Sequence, residues 1–120
     1  MYMENIQDWI LSIRKSKYLI LVEGIKDKKA LTSLGLKNIM TIKKPLFEVV
    51  EEISDITNKC ILLLDLDKEG RKLYSYFKKN LQRQGVKIDD RYREFLYKNT
   101  EITNIECIKK YATRQETRIY

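Results

Sequence analysis

The sequence predicts an α/β sandwich with a mainly parallel, four-stranded sheet flanked by helices, and three observations carry that expectation. Short β-rich apolar runs, YLILV at 18–22, NIMTI at 38–42 and KCILLLD at 59–65, alternate with longer segments of helical periodicity. The first run is apolar without interruption, as in a strand buried on both faces. Gly35 and Gly85 follow the helical segments where a left-handed cap is expected. With 120 residues and 43% hydrophobic composition, one proline and no repeat or linker, the chain is expected to be a single domain over 1–120. Its core spans about 18–90, between an N-terminal helix and C-terminal helices.

Each element follows from local pattern. Ile6, Trp9, Ile10 and Ile13 sit at helical spacing, so an amphipathic helix opens the chain. After the first strand, KDKKALTSLG (26–35) reads as a helix ending near Gly35. Beyond the second strand, Pro45 takes a first-turn position, and Leu46, Val49, Val50 and Ile53 share one helical face. The third strand leads into EGRKLYSYFKKNLQRQG (69–85), which puts Leu73, Tyr76, Phe77 and Leu81 on one stripe. VKI at 86–88 is a short fourth strand. From Asp89 to about Tyr111 the pattern is helical again, broken near Asn99, with Tyr92, Phe95 and Leu96 and then Ile102, Ile105 and Ile108 as apolar faces. The tail 112–120 has little to pack and is expected to be loose.

Composition removes several chemistries. There is no histidine, which excludes Ser-His and Cys-His nucleophile activation, histidine bases and His-ligated zinc. Cys60 and Cys107 lack C-x-x-C spacing and read as reduced core thiols. Glu4 and Asp8 precede the first basic residue and no long apolar stretch follows, which argues against a signal peptide. No run approaches the ~20 apolar residues of a membrane span. A cytoplasmic location with no membrane association is the expectation. Lys and Arg outnumber Asp and Glu by 24 to 17, a formal charge of +7 that favours polyanionic partners and also serves solubility.

In parallel α/β sheets, ligands bind beyond the carboxyl ends of the strands. Glu23 ends the first strand, and Asp65 and Asp67 end the third. If those strands are neighbours, as in the flavodoxin-like order 2-1-3-4, the three carboxylates converge on one crevice. Like charges repel by about 1 kcal/mol at 4 Å in water, and by about 4 kcal/mol at an effective dielectric of 20. Three gathered acids therefore need a compensating cation. Lys26, Lys28, Lys68 and Arg71 are local sources, and a bound metal is another. Oxygen-only ligation without histidine or thiolate suits Mg²⁺, with Mn²⁺ as a substitute. Gly24, at the turn after Glu23, and Gly70, at the next helix start, leave room for an approaching group and for anion-binding N–H groups. Taken singly, Glu23 fits a surface ion pair with Lys26, while Asp65 and Asp67 fit a helix cap and a first-turn acid. Their joint placement is what favours a site.

LVEGIKD (21–27) followed by LLLDLDKEG (62–70) resembles the two signature motifs of the Toprim domain. That domain is shared by topoisomerases, bacterial-type primases, ribosomal-RNA maturation nucleases and small stand-alone proteins, and the resemblance covers roughly residues 18–90. It implies a compact, Rossmann-like three-layer sandwich in which Asp65 and Asp67 hold Mg²⁺. Glu23 would then be a metal ligand or a general acid/base in phosphodiester chemistry. Gly24, Asp27 and Gly70 fall on accessory positions, and Glu69 matches the third acid of the type IA topoisomerase version. Leu66 stands where the nuclease and topoisomerase branches commonly have proline, so the branch is open. Topoisomerase strand passage and primase synthesis both need parts outside this domain, and neither is expected of this chain alone.

The expected activity is Mg²⁺-dependent, nuclease-type phosphodiester hydrolysis of RNA or DNA, or a related phosphotransfer. Glu23, Asp65 and Asp67 are its catalytic and metal-binding residues, and Lys26 or Arg71 offsets charge in the transition state. The alternative is a non-catalytic module whose metal crevice recognises nucleic acid or nucleotide while a partner protein does the chemistry; pure protein interaction is a weaker third. A haloacid-dehalogenase-type phosphatase is disfavoured by Glu69 and the chain length, and a phosphoacceptor receiver by the order of its acids. Lys43, Lys44, Lys78, Lys79, Arg83, Arg91, Arg93, Lys109, Lys110, Arg114 and Arg118 offer a backbone-tracking surface or simply solvated helix faces. Among the tyrosines, Tyr76 and Tyr92 fit the core, and Tyr111 and Tyr120 are freer to stack on bases.

Overall fold

The computed structural model describes residues 3–118, with side chains through Arg114. Its elements are α1 (Ile6–Ser16), β1 (Leu19–Val22), α2 (Ile25–Ser33), β2 (Ile39–Thr41), α3 (Leu46–Ile56), β3 (Lys59–Leu62), α4 (Lys68–Arg83), β4 (Lys87–Asp89), α5 (Arg91–Asn99) and α6 (Ile108–Arg118). A 3-10 turn at Ile105–Cys107 leads into α6. Among the described residues this is a four-stranded, all-parallel sheet in the order β2-β1-β3-β4, flanked by six helices. None of those helices is long and apolar enough to cross a membrane.

Alternation along the strands builds the three layers. Side chains point to opposite faces of a strand at successive positions. Ile20, Val22, Ile61 and Leu63 therefore meet α1, α2, α5 and α6 through Trp9, Ile13, Leu31, Phe95 and Ile108. Leu19, Leu21, Cys60, Leu62 and Leu64 face the other way, onto Val49, Val50 and Ile53 of α3 and Phe77 and Leu81 of α4. Both faces are covered, which is why the two central strands read as continuous apolar runs. Tyr92 is fully buried without an orphaned polar atom, because its hydroxyl shares a hydrogen bond with Ser12 Oγ at 2.8 Å and its carbonyl accepts from Trp9 Nε1 at 2.9 Å.

Helix ends follow the sequence signals, with instructive exceptions. Gly35 and Gly85 have φ of 87° and 83°, and Leu36 and Val86 each donate back to the carbonyl of residue 31 or 81, closing both helices with Schellman geometry. Pro45 is the N-cap of α3 in extended backbone rather than its first helical residue. β3 stops at Leu62, so Asp65 lies in a loop; Leu63 N–H still donates to Leu21 O at 2.9 Å, carrying the pairing one step further. β4 is shifted by one residue, to 87–89. Of the 112–120 tail expected to be loose, the described part continues α6 to Arg118, with Ala112 buried in the core shared with α1, and residues 119–120 lie outside the described residues. Cys107 is exposed, not a core thiol; only Cys60 is buried, and burial pushes its thiol up to about 12.

Candidate metal centre

The adjacency of β1 and β3 brings the three acids together. Glu23 directly follows β1, Asp65 lies three residues beyond β3, and Asp67 is the N-cap of α4. One carboxylate oxygen from each lies within 4.8 Å of those of the other two. Asp65 is buried, Glu23 half-buried and Asp67 exposed, so the group opens to solvent on one side. A crevice of about 320 Å³ beside it is lined by Glu23, Gly24, Lys26, Asp27, Asp65 and Asn104, among others.

The loop carrying Asp65 is clamped at every polar atom of that residue. Its N–H donates to Glu23 Oε1 at 3.1 Å, tying one acid to the other. Its carbonyl accepts from Arg93 Nη2 at 3.0 Å, while Arg93 Nε donates to Leu64 O at 3.1 Å. The same guanidinium lies 4.3 Å from the centroid of the Tyr74 ring. Asp65 Oδ1 accepts from Ile105 N–H at 2.9 Å and Oδ2 from Asn104 Nδ2 at 3.3 Å, and Leu66 N–H donates to Thr103 O at 2.7 Å. On the α4 side, Asp67 Oδ1 caps Gly70 N–H at 2.8 Å. A Cβ on Gly70 would stand 2.8 Å from Asp65 Cα and closer still to its carbonyl, so glycine is needed for the approach of helix to loop.

The electrostatics are those of crowded anions. Burial raises the Glu23 pKa, and the Asp65, Asp67 and Asp27 charges push the same way; the bond from Asp65 N–H opposes them. Asp27 is also raised, first by burial, with the Gly24 N–H bond opposing and Asp65 and Glu106 adding repulsion. Burial lowers the Arg93 pKa, although Glu23 and Asp65 favour its charge. Among the described residues, none of Glu23, Asp65 and Asp67 is in an ion pair. An all-oxygen donor set with no ion-paired cation among the described residues and an open side suits a hard divalent cation. The residues fit such an ion.

The other sequence candidates take different places. Gly24 is the N-cap of α2, and its N–H donates to Asp27 Oδ2 at 3.0 Å; a Cβ there would meet nothing within 4 Å, so the protein itself does not demand glycine. Lys26 lines the crevice, exposed and without an ion pair to Glu23. Lys28, Lys68 and Arg71 are exposed. Glu69 lies outside the group of three and approaches Lys72 at 3.6 Å on the surface of α4. Gly70 does not offer a free N–H to an anion, because Asp67 takes it. Lys78 pairs with Asp90 at 3.0 Å and Arg91 with Asp89 at 2.8 Å, so both have internal partners. Tyr111 is half-buried against the core, while the Arg118 side chain and Tyr120 lie outside the described residues.

Sequence reasoning missed Asn104 and Glu106 and read Arg93 only as a basic surface position; all three lie beyond the 18–90 core. No periodic signal marks a side chain that, like Arg93, reaches back to the loop beyond a strand end.

No protein-family model matches the chain. Its sequence is 29% identical over 121 residues to the UPF0292 protein MJ1624 of Methanocaldococcus jannaschii, spanning 95% of this chain and 94% of that protein. Among solved structures, a protein from Aquifex aeolicus superposes with a TM-score of 0.80 at 36% identity, over 87% of this chain and 98% of that one. The Aquifex aeolicus primase, a structure of its zinc-binding and RNA polymerase domains, superposes with a TM-score of 0.62 at 26% identity. That match takes in 92% of this chain but 27% of the primase chain.

Proposed function

The chain belongs to the same family as the Aquifex aeolicus protein with which it shares 36% identity, and from that premise we propose that it is a Toprim-type domain that binds Mg²⁺ through Glu23, Asp65 and Asp67 and acts on nucleic-acid phosphodiesters. The observation that carries this reading is the convergence of three carboxylate oxygens within 4.8 Å at the ends of adjacent parallel strands. Likeness to part of a primase, 26% identical over 92% of this chain, supports a nucleic-acid substrate.

Each residue then has a task. Glu23, Asp65 and Asp67 hold the ion, which supplies charge neutralisation at a phosphoryl oxygen and an acidified water. Where Glu23 is not itself bound to the ion, it holds or moves a proton at the attacking or leaving oxygen. Lys26, at the rim of the crevice, and Arg71, exposed on α4, bind phosphate oxygens. Arg93 and Asn104 fix the loop and the Asp65 rotamer, so that the ligand oxygens are oriented before the ion arrives.

A second reading, a metal-dependent binding module whose partner protein does the chemistry, is favoured by the primase likeness, in which the matched unit is 27% of a longer chain. Two measurements separate the readings. Mg²⁺ should raise the melting temperature of the wild type and not of Asp65→Asn; no shift up to millimolar ion sinks the site. Structured RNAs and DNAs incubated with Mg²⁺ or Mn²⁺ should be cut by the wild type and only bound by Glu23→Gln. Binding without cleavage by either protein selects the module.

A further inference from the structure

A second cavity, of about 830 Å³, opens between the end of α5 and one face of α6. Lys98, Lys110 and Arg114 line it against a single acid, Glu101. Lys110 and Arg114 are one turn apart on α6 with Tyr111 beside them, while Ile108 and Ala112 turn to the core, so the helix presents a basic, aromatic-bearing face to the cavity. The three cations are exposed, and among the described residues none is ion-paired. The other basic groove, on α4, differs because its Lys78 is held by Asp90 at 3.0 Å.

The cavity is joined to the carboxylates by sequence. Thr103 lines the basic cavity and Asn104 lines the acidic crevice, consecutive residues whose Cα atoms are about 3.8 Å apart. Cations placed to follow a phosphate backbone, with an aromatic ring among them, are the means by which proteins bind single strands without reading their sequence.

We propose that the cavity between α5 and α6, with Lys98, Lys110, Arg114 and Tyr111, is the seat of a single-stranded nucleic-acid segment flanking the phosphate held at the carboxylates. Its phosphates lie on the three cations and a base stacks on Tyr111. The identity of the ligand rests on the nucleic-acid reading above; the cavity and its charge do not.

The test is fluorescence anisotropy of a labelled single-stranded oligonucleotide with the full chain, titrated in salt, on four proteins. Lys110→Ala/Arg114→Ala should weaken binding by about tenfold and reduce the salt slope by about 1.4. Tyr111→Leu should weaken it with the slope unchanged. Lys15→Ala/Lys17→Ala removes equal charge at the end of α1 and should bind as wild type. Normal binding by the α6 double variant, or an equal loss in the α1 control, overturns the proposal and leaves the metal reading standing. If ATP at matched phosphate concentration displaces the oligonucleotide completely, the cavity belongs to a free nucleotide and the strand is overturned. No binding by the wild type at low salt overturns both this proposal and the nucleic-acid reading, whereas loss of the Mg²⁺ melting shift alone strikes only the metal site.

Discussion

Replacing Gly70 by alanine tests the packing that holds the acids together. The new Cβ would stand 2.8 Å from Asp65 Cα, whereas carbon atoms rest at about 3.5–4.0 Å. Helix or loop must therefore yield by roughly 1 Å at that contact, and by more at the carbonyl. The atoms in the way are backbone, so no side chain can swing aside. Overpacking of this kind costs about 2 kcal/mol, which for a domain of this size lowers Tm by roughly 6–12 °C. The larger effect falls on the site, since Gly70 N–H anchors Asp67 and the clashing atoms belong to Asp65. Mg²⁺ ligation tolerates about 0.2 Å of error in ligand distance, so the Mg²⁺-induced rise in Tm should vanish. Gly24→Ala is the matched control: extended backbone at φ −148° and nothing within 4 Å of the new Cβ should leave the Mg²⁺ shift in place. Differential scanning fluorimetry with and without Mg²⁺ reads both quantities. A Gly70→Ala protein that melts and responds like the wild type would refute the clamped-loop account.

Three further outcomes follow from the same contacts. Arg93→Lys keeps a charge but cannot reach Leu64 O and Asp65 O together; it should lose about 2 kcal/mol of stability in denaturant titrations and bind Mg²⁺ less tightly, and a neutral result removes Arg93 from the site. In metal-free buffer, lowering the pH from neutral through the raised pKa values of Glu23 and Asp27 loads protons onto the folded chain before the unfolded one, so stability should rise until the pH nears their ordinary values of 4.5 and 3.8. Glu23→Gln should flatten that profile, and an unchanged profile contradicts the crowding of these acids. A thiol reagent should label one equivalent of native protein, at exposed Cys107, while Cys60, fully buried and pushed up to about 12, reacts only on unfolding.

Much of the architecture was legible because it depends on periodicity. Leu19 to Val22 and Cys60 to Leu64 are apolar at every position, and only strands covered on both faces read that way. Once the strand order was anticipated, Glu23 and the Asp65 and Asp67 pair had to meet. What escaped was contact made by single side chains across space. Arg93 sits on α5 between Tyr92 and Glu94, and its reach to two loop carbonyls leaves no pattern in the sequence. Asn104 lies in an irregular turn, where its bond to Asp65 depends on how the chain returns after α5. Local rules also compete: Asp67 serves as a helix cap and as a member of the acid group at once, and the sequence presented these as alternatives.

The clamp on Asp65 has a kinetic side. Its carboxylate is fixed by groups 39 and 40 residues further along, and its N–H is taken by an acid 42 residues earlier. Closing such loops costs entropy that single helices do not pay. The acids are therefore far apart in the nascent chain, and they meet when β1 pairs with β3. The same pairing sets Ile20 beside Ile61 in one hydrophobic layer and Leu21 beside Leu62 in the other, so the repulsion among the acids is offset by the burial that gathers them.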